Sequence, residues 1–361
     1  MPNETYVIAE AGVNHNGDPD LAFQLVDVAV EAGADAVKFQ TFKAEKLVTK
    51  SAEKADYQKH TTDNQESQFE MLKQLELANE TYYELYNYCK IKGIEFLSTA
   101  FDSDSLSFLT DKLGIKKLKI PSGEITNGPF ILEHAYSGRE LILSTGMACL
   151  DEVKEALSVI AFGLLYGNDM TKSPCRSAFE EAFNTQEAKH LLKEKVTLLH
   201  CTTEYPAPFD DINLNAMQTM RSEFDLNVGY SDHSVGITVP IAAVALGAKL
   251  IEKHFTLDRT LPGPDHMASL EPEQLKEMIK SIRTVQKIMG DGVKEAKPSE
   301  LGNRDIARKS LVAACDIEIG EEFNRVNLAI KRPGTGRSPM DYWDLLGSKA
   351  HKRISADEVI K

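Results

Sequence analysis

Residues 250–256 read LIEKHFT, an apolar run carrying three ionisable side chains, Glu252, Lys253 and His254. A second such run, VGYSDHS (228–234), ends on Ser231, Asp232 and His233. In a strand, successive side chains alternate between faces. Leu250, Glu252 and His254 then share one face, and so do Gly229, Ser231 and His233. Turned the same way on adjacent strands, His233 and His254 stand roughly 5 Å apart in backbone. Two neutral imidazoles at that spacing suit a divalent metal. Having only two protein ligands leaves positions for water or substrate oxygens, which is a Lewis-acid arrangement rather than a structural one. The plainer alternative is a hydrogen-bonded core histidine in each case. Glu252 lies one layer below His254 and is expected to support the site or pair with a lysine. Lys253 has opposite parity and is expected to point at surrounding helices or solvent, with no chemistry.

Six further apolar runs also end in polar residues. They offer Glu10, Lys38 with Gln40, Thr99, Lys119 with Ser122 and Glu124, Ser144, and Thr202 with Thr203. Any one of these is ordinarily a solvated edge or a turn former; convergence of all eight runs is harder to dismiss. Lysines with serines and backbone N–H groups make a phosphate or carboxylate cradle. Lys38 and Lys119, with Ser122, Ser144 and Ser231, supply those parts unless the lysines reach out to solvent. Glu10 and Glu124 are the acid/base candidates, or else salt-bridge partners of the same lysines. Other signals are weaker. Glu187 and His190 read as a solvated helix face, and His200 as structural. His15 and His266 fall in rim loops, and the GTG at 334–336 is a turn.

The elements that would position these residues follow from periodicity. The eight runs are 5–12, 35–41, 94–101, 117–123, 140–146, 196–205, 228–234 and 248–256. Amphipathic stretches separate them, such as DLAFQLVDVAVEAG (20–33) and PEQLKEMIKSIRTVQKIMG (272–290). The connection between runs two and three has two parts, 67–77 and 80–93, with Asn79 as the expected N-cap. Eight strand–helix units within about 285 residues predict a (β/α)8 (TIM) barrel, whose active site lies at the C-terminal strand ends. A doubly wound open sheet is the runner-up, but GVNHNG (12–17) fits neither GxGxxG nor a P-loop. The expected division is a catalytic barrel over 1–290, a polar linker over 291–304, and a small β-rich domain over 305–361. The long segment 164–195, between runs five and six, is expected to hold an extra helix.

Composition limits the partners. The 361 residues carry a formal net charge of −14, which argues against nucleic acid or an anionic membrane surface. In so acidic a chain, lysines on the site face point to an anionic substrate. No stretch approaches about 18 apolar residues and the start is no signal peptide. Five scattered cysteines without CxxC suggest reduced thiols in a cytoplasm.

Several stretches together resemble the sialic acid synthase family, the phosphoenolpyruvate-condensing synthases of N-acetylneuraminate and of legionaminic and pseudaminic acids. They include IAEAGVNHNG (8–17), AVKFQTF (36–42), EKADYQ (53–58), FLSTAFD (96–102), KIPSGE (119–124), LSTGM (143–147), HCTTEYPAPFDDINL (200–214), GYSDHS (229–234), IEKHFT (251–256), GPDHMAS (263–269) and KRPGTGRSP (331–339). The resemblance implies a (β/α)8 barrel followed by a small antifreeze-like (SAF, β-clip) domain, docked on a partner's barrel in a swapped homodimer. It implies that His233 and His254 bind a divalent metal, Mn2+ or Mg2+. Lys38, Thr99, Lys119, Ser122, Ser144 and Ser231 would hold phosphoenolpyruvate. Thr203 would join them, at a position where some members carry Asn. Gln40, Tyr205 and Asp265 would contact the open-chain sugar, and Arg332 its N-acyl group from the neighbouring subunit. Glu10 and Glu124 would handle sugar hydroxyls and proton transfers.

The implied reaction joins the methylene carbon of phosphoenolpyruvate to a sugar aldehyde; water adds and phosphate leaves with C–O cleavage. N-Acetylmannosamine, giving N-acetylneuraminate, is the first expectation. A 2,4-diacetamido-2,4,6-trideoxymannose, giving N,N'-diacetyllegionaminate, is the alternative. Pseudaminate synthesis, a metal-dependent barrel hydrolase and a sugar-sensing scaffold are outsiders.

Overall fold

Eight parallel strands close on themselves in chain order: Tyr6–Gly12 (β1), Ala36–Thr41 (β2), Glu95–Ala100 (β3), Lys117–Ile120 (β4), Glu140–Ser144 (β5), Val196–His200 (β6), Asn227–Asp232 (β7) and Leu250–His254 (β8). This is the (β/α)8 barrel, seen in a computed structural model that describes residues 4–361 except 56–57, 60–61, 63–65, 168 and 170. Asp56 and Tyr57 of the EKADYQ stretch, and two positions of the 164–195 segment, lie outside the described residues.

Strand parity builds the barrel in two tiers. Ile8, Ala36, Leu97, Ile142, Leu199 and Leu250 form an apolar cluster inside the strands. Two residues further along five of those strands, on the same face, stand Glu10, Lys38, Thr99, Ser144 and Glu252. The period-2 alternation therefore turns an apolar plug into a polar mouth within one step. The opposite parity supplies the outer shell, where Val7, Val37, Phe39, Leu118, Leu143, Val228 and Ile251 meet the surrounding helices.

Helix ends follow local chemistry. In Pro19–Ala32 the Asp18 side chain accepts from Asp20 N, Pro19 occupies the first turn, and Gly33 closes the helix at φ 80°. Ser67 and Glu70 form a capping box at Gln68–Gln74. Asn79 is not the expected N-cap. Ala78 takes the extended cap conformation and Asn79 is the first helical residue of Asn79–Lys92. The 164–195 segment holds two short helices rather than one, Arg176–Asn184 and Gln186–Lys195, divided where Thr185 caps the second. Among the described residues no helix is long and apolar enough to cross a membrane, and the five cysteines are free thiols.

The chain divides into two compact units, 1–290 and 291–361. The second has its own core of Leu311, Ala313, Ile317, Phe323, Leu328, Leu345, Ala350, Ile354 and Ile360. An antiparallel pair, Ser310–Ala313 (β9) and Leu328–Lys331 (β10), runs through it. Part of the stretch read as linker is helical, over Pro298–Ala307. Its Pro and capping Glu300 were legible, but its low apolar content hid it.

Candidate active site

The polar mouth opens into a cavity of ≈ 400 Å³. The lining takes Glu10, Lys38, Gln40, Thr99, Lys119, Ser122, Glu124 and Ser144 from the first five strand ends, and Thr203, Tyr205, Ser231, His233, His254 and Asp265 from the last three and their loops. Every candidate of residues 1–290 given a catalytic, metal or substrate role is thus brought to one place, whereas Thr202 turns away and donates its hydroxyl to Asp211 O at 3.1 Å. Arg332 belongs to the second unit, where it is exposed and its Nε donates to Ala307 O at 3.0 Å.

Glu252 organises the cations. Ser231 Oγ donates to its Oε1 at 2.9 Å, and Lys119 Nζ lies 3.2 Å from the same oxygen. Lys38 Nζ lies 3.6 Å from Glu252 Oε2 and 2.7 Å from Glu10 Oε2, and donates to Thr99 Oγ1 at 3.0 Å. Both lysines are buried, so neither reaches solvent as the plainer reading allowed. Burial alone would push the Glu252 carboxyl up, but Lys119 and Lys38 outweigh it and hold the group well below the usual carboxylate range. Glu10 goes the other way. Burial raises it to about 7 against the pull of Lys38, with the Glu252 charge adding to the rise. Burial would also strip the proton from Lys38, yet Glu10 and Glu252 keep its pKa above the ordinary value. When Glu10 is protonated, two ammonium groups face one carboxylate. That local excess of positive charge suits an anion.

Hydroxyl groups complete the cradle. Ser144 Oγ and Thr203 Oγ1 are buried with no hydrogen-bond partner among the described residues. Buried polar atoms rarely stay unpaired, so both are free to serve a ligand. Ser122 Oγ accepts from Gly146 N at 3.0 Å and lies 3.2 Å from Cys201 Sγ. A Cβ on Gly146 would come within 2.2 Å of Thr203 Oγ1 and 2.8 Å of Ser122 Oγ. Only glycine lets β5 bring these hydroxyls together.

His233 and His254 face one another with ring centroids 5.8 Å apart, and Tyr205 stacks on His233 at 4.1 Å. His233 Nδ1 donates to Thr202 O at 2.6 Å, leaving the Nε2 lone pair to the cavity. Among the described residues His254 Nδ1 is buried without a partner. Burial lowers His233 to about 4 and His254 well below its ordinary value, so both rings are neutral near pH 7. Neutral imidazoles with uncommitted nitrogens fit a divalent cation. No group of three or more His, Cys, Asp or Glu is gathered for a metal among the described residues, so a cation here would take only two protein ligands. Asp265 also borders the cavity, raised to about 6 by burial. At the rim, Glu124 Oε2 accepts from Asn127 Nδ2 at 2.7 Å.

Two features were not anticipated. Lys253 points to the outer shell, as its parity required, but not to solvent: it is fully buried against Asp232. The cavity also has an apolar flank over β1 to β3, made by Val13, Leu47, Val48, Met71, Leu72, Leu75 and Phe101. Met71, Leu72 and Leu75 have helical spacing, which reads as ordinary core.

A closed parallel barrel whose mouth pairs an anion cradle with two neutral imidazoles has the architecture of a (β/α)8 enzyme acting on an anionic substrate. Residues 25–294 match the NeuB family model and residues 308–361 the SAF domain. The chain belongs to the NeuB family, the sialic acid synthases, and carries a SAF domain at its C-terminal end. It is 49% identical over 358 residues to N,N'-diacetyllegionaminic acid synthase of Campylobacter jejuni, covering 99% of each chain. Its identity to the enzyme of the same name from Legionella pneumophila is 46% over 351 residues, 97% of this chain and 92% of that one. Among solved structures it resembles the citrate complex of N-acetylneuraminic acid (sialic acid) synthetase from Leptospira borgpetersenii. The TM-score there is 0.66 at 34% identity, over 83% of this chain and 90% of that chain.

Proposed function

We propose that the protein is an N,N'-diacetyllegionaminate synthase. It condenses phosphoenolpyruvate, water and open-chain 2,4-diacetamido-2,4,6-trideoxymannose to N,N'-diacetyllegionaminate and phosphate. The observation that carries this reading is the 49% and 46% identity, over nearly the whole chain, to two enzymes of that name. The motifs are compatible with both sugars, with N-acetylmannosamine the first expectation; the likeness to the two legionaminate synthases reverses that order.

The cavity supports the same choice. The preferred sugar differs from N-acetylmannosamine by a methyl at C6 in place of a hydroxymethyl and an acetamido group at C4 in place of a hydroxyl, which adds two methyl groups. The flank of Leu47, Val48, Met71, Leu72 and Leu75 offers such groups an apolar surface. Among the described residues the only cations lining the cavity are Lys38 and Lys119, both already tied to Glu252. Among the described residues of the barrel, no further cation lines the cavity for a 6-phosphate.

In this reading the two lysines, with Ser122, Ser144, Thr203 and Ser231, hold the phosphate and carboxylate of phosphoenolpyruvate by charge-assisted bonds. His233 and His254 would hold Mn2+ or Mg2+, which when bound would supply Lewis acidity for the sugar aldehyde. Glu10 pairs in register with His254 across β1 and β8 and titrates at about 7, so it can give or take a proton beside the aldehyde. Gln40, Tyr205 and Asp265 orient the sugar. The protein acts as a cytoplasmic homodimer in which Arg332 reaches the partner's cavity. Arg332 makes no ion pair among the described residues, which leaves its terminal nitrogens for a ligand.

The test is phosphate release from phosphoenolpyruvate and Mn2+ with three sugars: the diacetamido-trideoxymannose, N-acetylmannosamine and its 6-phosphate. The first should give kcat/KM at least tenfold above the second, with nothing from the third. Equal or faster turnover of N-acetylmannosamine would reject the legionaminate assignment. No phosphate with any sugar would reject the synthase reading.

A further inference from the structure

Lys253 and Asp232 stand apart from the reaction chemistry. Both lie on the outer face of the barrel, and both side chains are 0% exposed. Lys253 Nζ is 2.6 Å from Asp232 Oδ2 and also donates to Ser234 O. The other carboxylate oxygen, Asp232 Oδ1, accepts from Ser234 N at 3.0 Å. These contacts enclose residues 232–234, and His233 is the middle one.

The strand register shows why such a tether matters. The β7–β8 ladder runs through Ser231↔Glu252 and ends at Asp232↔Lys253. His233 lies one residue past the last pair, where the ladder to β8 no longer fixes the backbone. His254 remains in the sheet, paired with Glu10 of β1. Lys253 is covalently next to His254 and bonded to the residues on either side of His233. One ammonium group therefore links the backbones of both imidazoles. An apolar pair of similar volume would pack against the helices without the cost of desolvating two charges, so stability alone does not explain these residues.

We propose that the Lys253–Asp232 pair is a positioning clamp: it sets the separation and orientation of His233 and His254, and through them the affinity of the mouth for a divalent cation. The inference rests on the metal reading above. It goes beyond that reading by giving a function to two residues that touch neither substrate nor cation.

Mn2+ binding to the full-length protein, followed by electron paramagnetic resonance, tests this alongside thermal unfolding. Lys253→Met alone should lose stability, because Asp232 is left buried without its partner. Asp232→Leu with Lys253→Met should regain much of that stability, since the surroundings are apolar. Its Kd for Mn2+ should nevertheless stay about 10- to 100-fold weaker than wild type, the usual effect of losing an outer partner of a metal ligand. If affinity returns together with stability, the pair is merely structural and the clamp is rejected. Should the double variant not fold, the near-isosteric Asp232→Asn carries the test: several-fold weaker Mn2+ binding is expected, and unchanged affinity overturns the proposal. Failure of the metal reading looks different. Wild type itself would then take up no Mn2+ that His254→Ala abolishes, and the clamp would fall with it.

Discussion

Glu252 does at the residue scale what neither lysine can do alone. Two buried ammonium groups near one another repel and resist desolvation, and a buried carboxylate between them offsets both costs. Ser231 then fixes the carboxylate, so the cations keep their places when no ligand is present. Parity placed Glu252 beside His254, but a strand pattern names a face and never a partner. The same limit explains Lys253, whose outward direction was legible while its burial against Asp232 was not. Lys119→Met should be tolerated by the fold, because Glu252 keeps Lys38 and Ser231. In the proposed function it removes one charge-assisted contact to phosphoenolpyruvate, worth about 2–3 kcal/mol, or roughly a 30- to 150-fold rise in KM for that substrate. Steady-state kinetics would show it, with KM for the sugar nearly unchanged. An equal rise in both constants would mean that Lys119 shapes the whole cavity rather than holding the anion.

The strand is the unit that makes the site readable at the element scale. Each barrel strand needs an apolar residue inside the lower tier and tolerates a polar one two positions later, where the barrel opens. Ile8 before Glu10, Ala36 before Lys38 and Ile142 before Ser144 repeat that step. Five strands repeat the step, and with eight strand–helix alternations it made the fold and the polar mouth legible together. What lies between strands was less so. The helix over 68–74 reads as packing, yet Met71, Leu72 and Leu75 face the cavity, because an apolar ligand wall and a core have the same periodicity. The segment over 298–307 looked like linker because a mostly polar helix carries no apolar stripe. Close approach between elements is a third thing periodicity hides. Gly146 follows β5 with no positive φ to mark it, but its missing Cβ leaves room for Thr203 and Ser122. Gly146→Ala should therefore cut kcat/KM at least tenfold while lowering the melting temperature only slightly, since the displaced groups are side-chain hydroxyls. Adding Thr203→Ala relieves the nearest clash. Recovered stability without recovered activity is the expected result; full activity in Gly146→Ala would show that the hydroxyls have no part in binding.

Two separate cores define the whole molecule. Residues 1–290 close their own barrel, and the second unit packs nine buried apolar residues of its own. A chain ending at Gly290 should therefore unfold cooperatively, with the circular dichroism of an intact barrel. Its chemistry should suffer at the sugar, not at phosphoenolpyruvate. The proposed phosphoenolpyruvate cradle lies wholly in the barrel, whereas Arg332 does not. Arg332→Ala in the full chain should reproduce the effect: one lost charged hydrogen bond corresponds to about a 10- to 100-fold higher KM for the sugar. Mixing distinguishes action across the proposed dimer from action within one chain. Combine Arg332→Ala, whose barrel is intact, with His254→Ala, whose Arg332 is intact. If the arginine serves the partner, subunit exchange creates one cavity with both residues, and turnover at low sugar concentration rises above either parent. If it serves its own barrel, each cavity still lacks one of the two and nothing is gained. Differently tagged chains that co-purify as mixed dimers yet show no gain would refute action in trans.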